Sequence, residues 1–246
     1  MNAEDKHIEE DREENDIFSH LSELRKRLLY SVVGVLIFAI VSYLYSEIIV
    51  SFLSKPYFDA FKNHDLIGTG PAEAFILKIK IAIFSGIIIS IPWLFTQVWM
   101  FIEPGLKKTE KKLFIPFVFF ASLLFLVGVA FSYFKVMPFA FSFFFEQYKS
   151  ISITPQIKLG EHLSIMLKGL FGFGIIFEMP VLAFFLAKLG VLNSKFLIDY
   201  ARHSVVVIFL IAAFLTPPDI VTQFLMAGPL LFLYFISYLV VKVTEK

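Results

Sequence analysis

The chain has 246 residues, a formal net charge of +1, no cysteine, and 58% hydrophobic residues, among them 32 phenylalanines. A soluble domain of this length has too little interior to hide that much apolar surface. The missing cysteines exclude disulfides, thiol catalysis and thiolate metal sites. The near-zero charge argues against a nucleic-acid partner.

The N-terminal segment Met1–Asp16 holds eight acids and, as cations, only Lys6 and Arg12. It is the reverse of the basic start of a secretory signal and reads as a solvated, disordered tail. We therefore divide the chain into an acidic cytoplasmic tail, residues 1–17, and a membrane domain, residues 18–246. Phe18, Leu21, Leu24 and Leu28 recur at helical spacing and predict a short amphipathic helix that leads into the first span.

A bilayer core takes ~20 apolar residues per helix. Six segments qualify: Leu28–Ser46, Ile81–Ile102, Leu113–Phe134, Gly169–Ala187 with Glu178 inside it, Ser204–Pro218, and Ile220–Val241. The predicted fold is an all-α integral membrane protein of six transmembrane helices. The fifth is the shortest, its purely apolar stretch being Val205–Leu215. With both termini inside, the inner segments carry 14 Lys and Arg and the outer segments 8, so the positive-inside rule gives an N-in, C-in topology.

Between the spans lie two sizeable outer segments. Ser51–Ala74 contains Lys55-Pro56. Pro138–Glu161 opens on an aromatic run and reads as a helix at the membrane surface. The outer connection Thr216-Pro217-Pro218-Asp219 predicts a tight turn, with Asp219 capping the sixth helix. Prolines 92, 116, 180 and 229 each remove a backbone hydrogen bond and predict bent helices, hence a curved bundle. Gly169, Gly172 and Gly174 lie in an apolar helix with no strand before them, and so mark close helix packing rather than a nucleotide loop.

Three acids stand against this apolar background. Glu23 lies on the polar side of the first amphipathic helix, where it either pairs with Arg27 or receives a cationic ligand. Glu110 lies in the inner loop Phe101–Lys112, which is either a solvated connector or a carboxylate presented at the membrane surface. Glu178 lies deep in the fourth helix, where an ionised side chain costs on the order of 2.5–3.5 kcal/mol. It must be protonated, paired, or turned to a polar cavity or partner. The five histidines have no metal-ligand spacing, and no nucleophile–base pairing is visible, so neither an enzyme nor a cofactor is expected.

In chain order, His20-Leu-Ser-Glu-Leu-Arg-Lys-Arg27, Gln97-Val-Trp-Met-Phe-Ile-Glu-Pro-Gly-Leu106 followed by Glu110, Phe177-Glu-Met-Pro180, and Leu215-Thr-Pro-Pro-Asp219 with Gln223 resemble the TatC family of the twin-arginine protein translocase. The resemblance covers nearly the whole chain after the acidic tail. It implies a receptor in the bacterial cytoplasmic (inner) membrane for Arg-Arg signal peptides of folded cargo. The receptor would work with the single-span subunits TatB and TatA, with further TatC copies, and with the proton-motive force. It further implies that Glu23 and Glu110 receive the arginines with Glu103 assisting, and that Thr216 and Gln223 form a polar patch for the single-span partners. Glu178 is then the in-membrane acid linked to partner packing, and Pro56, Pro217, Pro218 and Asp219 are structural loop positions. A proton-coupled small-molecule transporter using Glu178 is the alternative, weakened by the lack of an internal repeat.

Overall fold

In a computed structural model of the chain, the structure describes residues 3–61, 65–215 and 220–245, with side chains from His20 onward except those of Leu215 and Leu225. Eleven α-helices cover most of these residues: α1 Ala3–Leu44, α2 Ser46–Ala60, α3 Glu73–Ile89, α4 Ile91–Ile102, α5 Phe114–Phe131, α6 Met137–Ser150, α7 Leu159–Ile176, α8 Met179–Lys188, α9 Ser194–Asp199, α10 Ala201–Leu215 and α11 Ile220–Thr244. The expected amphipathic lead-in is part of α1, whose backbone extends back through the acidic residues to Ala3.

Four helical runs are long and apolar enough to cross a bilayer: His20–Leu44, Lys111–Ser150, Leu159–Lys188 and Ile220–Thr244. A further pair, α3 and α4, is bent by 59°, and the apolar helix Ala201–Phe214 is shorter than the rest. The short helix is the fifth apolar segment of the sequence.

Not every proline bends its helix. Pro92 lies in the first turn of α4, just past the α3–α4 break, and Pro180 in the first turn of α8, just past the break after α7. These two act as expected, because a proline in the first turn removes an amide that has no intrahelical acceptor. Pro116 instead opens α5, and Pro229 stays inside an uninterrupted α11. Pro56 is not in a loop at all: it lies inside α2 and is buried.

The aromatic run after Pro138 also departs from expectation. A widened π turn at Ser132–Val136 carries α5 straight on into α6. The combined run of 40 residues rises ~60 Å, twice the ~30 Å of a hydrocarbon core. Its far end, α6, packs on α2. Tyr57 stacks on Phe61, with centroids 4.7 Å apart, and Phe61 meets Phe145 edge-on at 5.0 Å. His162 is fully buried against Tyr57 and Phe141, its Nε2 3.2 Å from the Leu53 carbonyl. Phe141 and Phe145 thus pack against α2, while Phe139 stays exposed. Ile67 N–H donates to the Ile157 carbonyl and Leu159 N–H to the Ile67 carbonyl, joining the loop after α2 to the loop after α6. Lys78 donates to the exposed Glu47 carboxylate at 2.8 Å, holding that carboxyl below its ordinary pKa.

Within the bundle, glycines set how closely the helices approach. A Cβ on Gly86 of α3 would lie 2.7 Å from the Ala39 backbone nitrogen of α1, and one on Gly128 of α5 would lie 2.5 Å from the Phe173 carbonyl of α7. Gly174 faces the Phe125 ring and Gly169 the Met137 side chain. The glycines of the fourth apolar segment therefore serve close packing, as their context predicts. Gly34 leaves room for the Trp93 indole, whose Nε1 donates to the Tyr30 carbonyl at 3.0 Å and ties α4 to α1.

At the other end of the bundle, Glu245 accepts from both the backbone N–H and the hydroxyl of Ser194, capping α9 from 51 residues away. Tyr234 donates to the Leu197 carbonyl at 2.5 Å. Gly128→Val must push α5 off α7, and we expect it to destabilise the protein by about 1–3 kcal/mol. The measurement is thermal unfolding in detergent beside Gly105→Ala, a position with open space around it. Equal melting of the two variants would contradict the close-packing account.

Candidate functional site

The three acids Glu23, Glu103 and Glu110 come from two elements. Glu23 lies on α1, and Glu103 and Glu110 lie on the short connection between α4 and α5. The connection is held from below. Leu106 is buried in a cluster with Trp99, Phe117 and Phe185, in which the Trp99 ring is 5.2 Å from both phenylalanine rings. Above this anchor the backbone closes in tight turns, with Leu106 N–H donating to the Glu103 carbonyl and Leu113 N–H to the Glu110 carbonyl.

Each carboxylate has a local partner. Glu110 accepts from the Lys107 backbone N–H at 2.8 Å, which closes the loop on itself. Glu103 pairs with Lys111 at 3.3 Å, and both side chains are exposed enough that water screens the pair. Glu23 pairs with Arg27 at 3.3 Å, one turn along α1. The Arg27 guanidinium also meets the Met100 sulfur at 3.2 Å, so the first helix and the end of α4 touch here. Glu23 is thereby tied to the residue three before Glu103. The structure brings Glu103 and Glu110 onto one pinned loop and places Glu23 beside its root, with no direct contact between Glu23 and either acid among the described residues.

Glu23 and Glu110 are both half-buried. A half-buried carboxylate keeps acceptor capacity while a neighbouring apolar surface lowers the local dielectric. Its lone pairs outnumber the single donor each has, so each can still take a guanidinium. The i,i+4 bond from Arg27 contributes only a few tenths of a kcal/mol, which makes it a readily exchanged placeholder for a stronger, two-pronged donor.

Glu178 occupies a different place. It is 5% exposed, in the turn between α7 and α8. Its Oε1 has no hydrogen-bond partner. No basic side chain pairs with it among the described residues. It is a buried acid at the joint between α7 and α8, beside the place where Gly128 of α5 packs against Phe177.

Gln223 on α11 donates to the Phe209 carbonyl of α10 at 3.0 Å, joining these two helices. Thr216, Pro217, Pro218 and Asp219, and with them the expected tight turn, lie outside the described residues. Among the described residues no group of three or more His, Asp and Glu side chains is placed to hold a metal.

Sequence reading missed the Arg27–Met100 contact, the Trp93–Tyr30 bond and the burial of Leu106. The first two are long-range and leave no periodic trace. The third had a signal: Leu106 is an apolar residue inside an otherwise charged loop.

A family model described as "Sec-independent protein translocase protein (TatC)" matches residues 19–229. The chain belongs to the TatC family. It is 41% identical over 230 residues to the Sec-independent protein translocase protein TatC of Helicobacter pylori strain 26695, covering 94% of this chain and 88% of the relative. It is 41% identical over 227 residues to that of Campylobacter jejuni, covering 91% and 92%. Its fold is similar to a crystal structure of the twin arginine translocase receptor TatC, with a TM-score of 0.83 at 36% identity, covering 92% of this chain and all of the other. The all-helical architecture is thus that of TatC, and the several apolar helices make it a multi-pass membrane protein.

Because Leu106 is the loop's main apolar anchor, Leu106→Ala should cost roughly 2–5 kcal/mol of local stability. Amide hydrogen exchange across residues 103–113 is expected to accelerate while α5 stays protected. Unchanged exchange would mean that the loop is held by its turns alone.

Proposed function

We propose that this protein is the signal-peptide receptor and core subunit of a twin-arginine translocase, and that Glu23 and Glu110, assisted by Glu103, accept the paired arginines of the peptide. The observation that carries this reading is the arrangement of those acids. Two half-buried carboxylates from separate elements stand at one end of the bundle, joined through the Arg27–Met100 contact and a loop pinned by Leu106. A guanidinium binds a carboxylate through two parallel charge-assisted hydrogen bonds, a geometry that an ammonium cannot reproduce. Two adjacent arginines call for at least two such acceptors. The relatives' names and the receptor structure support the same reading.

In this reading the chain crosses the bacterial cytoplasmic membrane six times, with α3 and α4 together forming one bent span and both termini in the cytoplasm. Residues 1–17 form a solvated tail at that face. The acid site then faces the compartment in which folded cargo is made. TatB and TatA dock on a polar patch that includes Gln223 of α11 and Thr216, and further TatC copies complete the assembly. The proton-motive force drives transport, and no chemical step is assigned to the protein itself. Glu178 supports partner packing by fixing the α7–α8 bend against α5. The transporter alternative draws no support from the structure, because the Glu178 carboxyl is buried against α5.

Each lost charge-assisted acceptor should weaken an Arg-Arg signal peptide by about 10–100-fold, the equivalent of ~1.5–3 kcal/mol. The test is binding of Arg-Arg and Lys-Lys peptides to the purified protein and to Glu23→Ala and Glu110→Ala. Selective Arg-Arg binding that falls in both variants is expected; equal binding by all three proteins overturns the assignment. Glu178→Ala should leave peptide binding intact and reduce co-purification of TatB. Undiminished recovery of TatB would remove Glu178 from the partner role.

A further inference from the structure

A cleft of about 510 Å³ opens between α5, α8 and α11. Its walls include Phe117, Phe120, Leu124, Val181, Phe184 and Val240, and nothing polar contributes appreciably to them. Pro116 and Pro180 also line it. Each lies in the first turn of its helix, where the ring replaces an amide that would otherwise need an acceptor, so the wall presents neither donor nor bulk.

The end of the cleft nearest the 103–113 loop has a different character. Lys112 stands four residues before Pro116, and Lys188 stands three and four residues after Phe185 and Phe184. Lys188 lies one turn along α8 from Phe184 and Phe185 and shares their face, and Lys112 adjoins Leu113, which lines the cleft, in the short turn before α5. Both are exposed. Neither has an acidic partner among the described residues. In the connection that carries Lys112, Glu110 accepts from the Lys107 amide and Glu103 pairs with Lys111. Lys242, by contrast, leans over the Tyr238 ring, with its nitrogen 5.7 Å from the centroid.

An apolar slot with two unneutralised cations at one mouth fits a molecule with a long hydrocarbon chain and an anionic head. We propose that this cleft is a binding site for an anionic diacyl phospholipid of the leaflet beside the 103–113 loop, with one acyl chain in the slot and the phosphate at Lys112 and Lys188. Free phosphate would leave the slot empty. A signal peptide led by paired arginines would bring cations to cations. The site contains none of the acids assigned to peptide recognition, but shares Phe117 and Phe185 with the cluster that anchors their loop.

The experiment is native mass spectrometry of the delipidated full chain with phosphatidylglycerol or phosphatidylcholine of identical acyl chains added back. The wild type is expected to retain phosphatidylglycerol about tenfold better than phosphatidylcholine, an advantage that two lysines facing an anionic head supply. K112Q/K188Q should abolish that preference, and Leu124→Trp, which fills the slot, should reduce retention of both lipids. The lysine variant alters only exposed positions, so it carries the test even if Leu124→Trp fails to fold. Equal phosphatidylglycerol retention by wild type and K112Q/K188Q overturns the proposal. So does full retention by a folded Leu124→Trp, which would mean that the head is held without a chain in the cleft. Displacement of the lipid by glycerol phosphate assigns the lysines to free phosphate, and displacement by an Arg-Arg peptide assigns the slot to the peptide; either result overturns the lipid site.

Discussion

Inside hydrocarbon there is no water to satisfy a free amide or carbonyl, so a chain can turn there only if every freed group finds a protein partner. This constraint shapes each bend of the molecule. At the α3–α4 break, Ser90 N–H donates to the Gly86 carbonyl, its hydroxyl donates to Ile87, and Leu94 N–H returns to Ser90. At the α7–α8 break, Phe177 N–H reaches Phe173, Glu178 N–H reaches Ile175, and Leu182 N–H reaches Glu178. Between α5 and α6 the chain does not break; it widens by one residue and continues. Pro92 and Pro180 sit where a missing amide matters least, in the first turn after each of the two breaks.

Bent helices leave uneven surfaces, and two devices close them. Glycine brings backbones together where the axes cross, as at Gly86 with Ala39 and Gly128 with Phe173. Aromatic rings fill the wider ends, with Tyr57, Phe61, Phe141 and Phe145 at one end and Trp99, Phe117 and Phe185 at the other. The second cluster fixes the position of Leu106 and with it the loop that carries Glu103 and Glu110. The placement of these carboxylates therefore depends on the packing beneath their loop.

Much of this was legible in the sequence because membrane helices announce themselves by uninterrupted apolar length, a one-dimensional property. The short fifth segment, the packing glycines of the fourth and the carboxylates at the helix ends were all readable that way. Where the reading failed, the missing information was three-dimensional. Pro229 lies within the uninterrupted α11, which spacing along the chain cannot reveal. Pro56 reads as a loop residue beside Lys55, yet α2 encloses it. The phenylalanines after Pro138 have the composition of an interfacial belt, yet Phe141 and Phe145 pack against α2. For the acids, only position along the chain was legible. The pairing of Glu23 with Arg27 was one of its two stated options, but the contact of Arg27 with Met100 joins residues 73 apart and leaves no local signature.

The cap on α9 has a temporal meaning. This helix has six residues, too few to persist alone. Its first amide, that of Ser194, is satisfied from across the fold by Glu245 at the end of α11, and the Phe196 amide by the Asn193 side chain. That joint exists only once the end of α11 has packed back beside α9. The α9 segment thus registers whether the final pair of helices has been threaded correctly. A chain whose last hairpin is misplaced would leave this connection unwound and open to proteolysis, marking the unfinished molecule for removal before it joins an assembly.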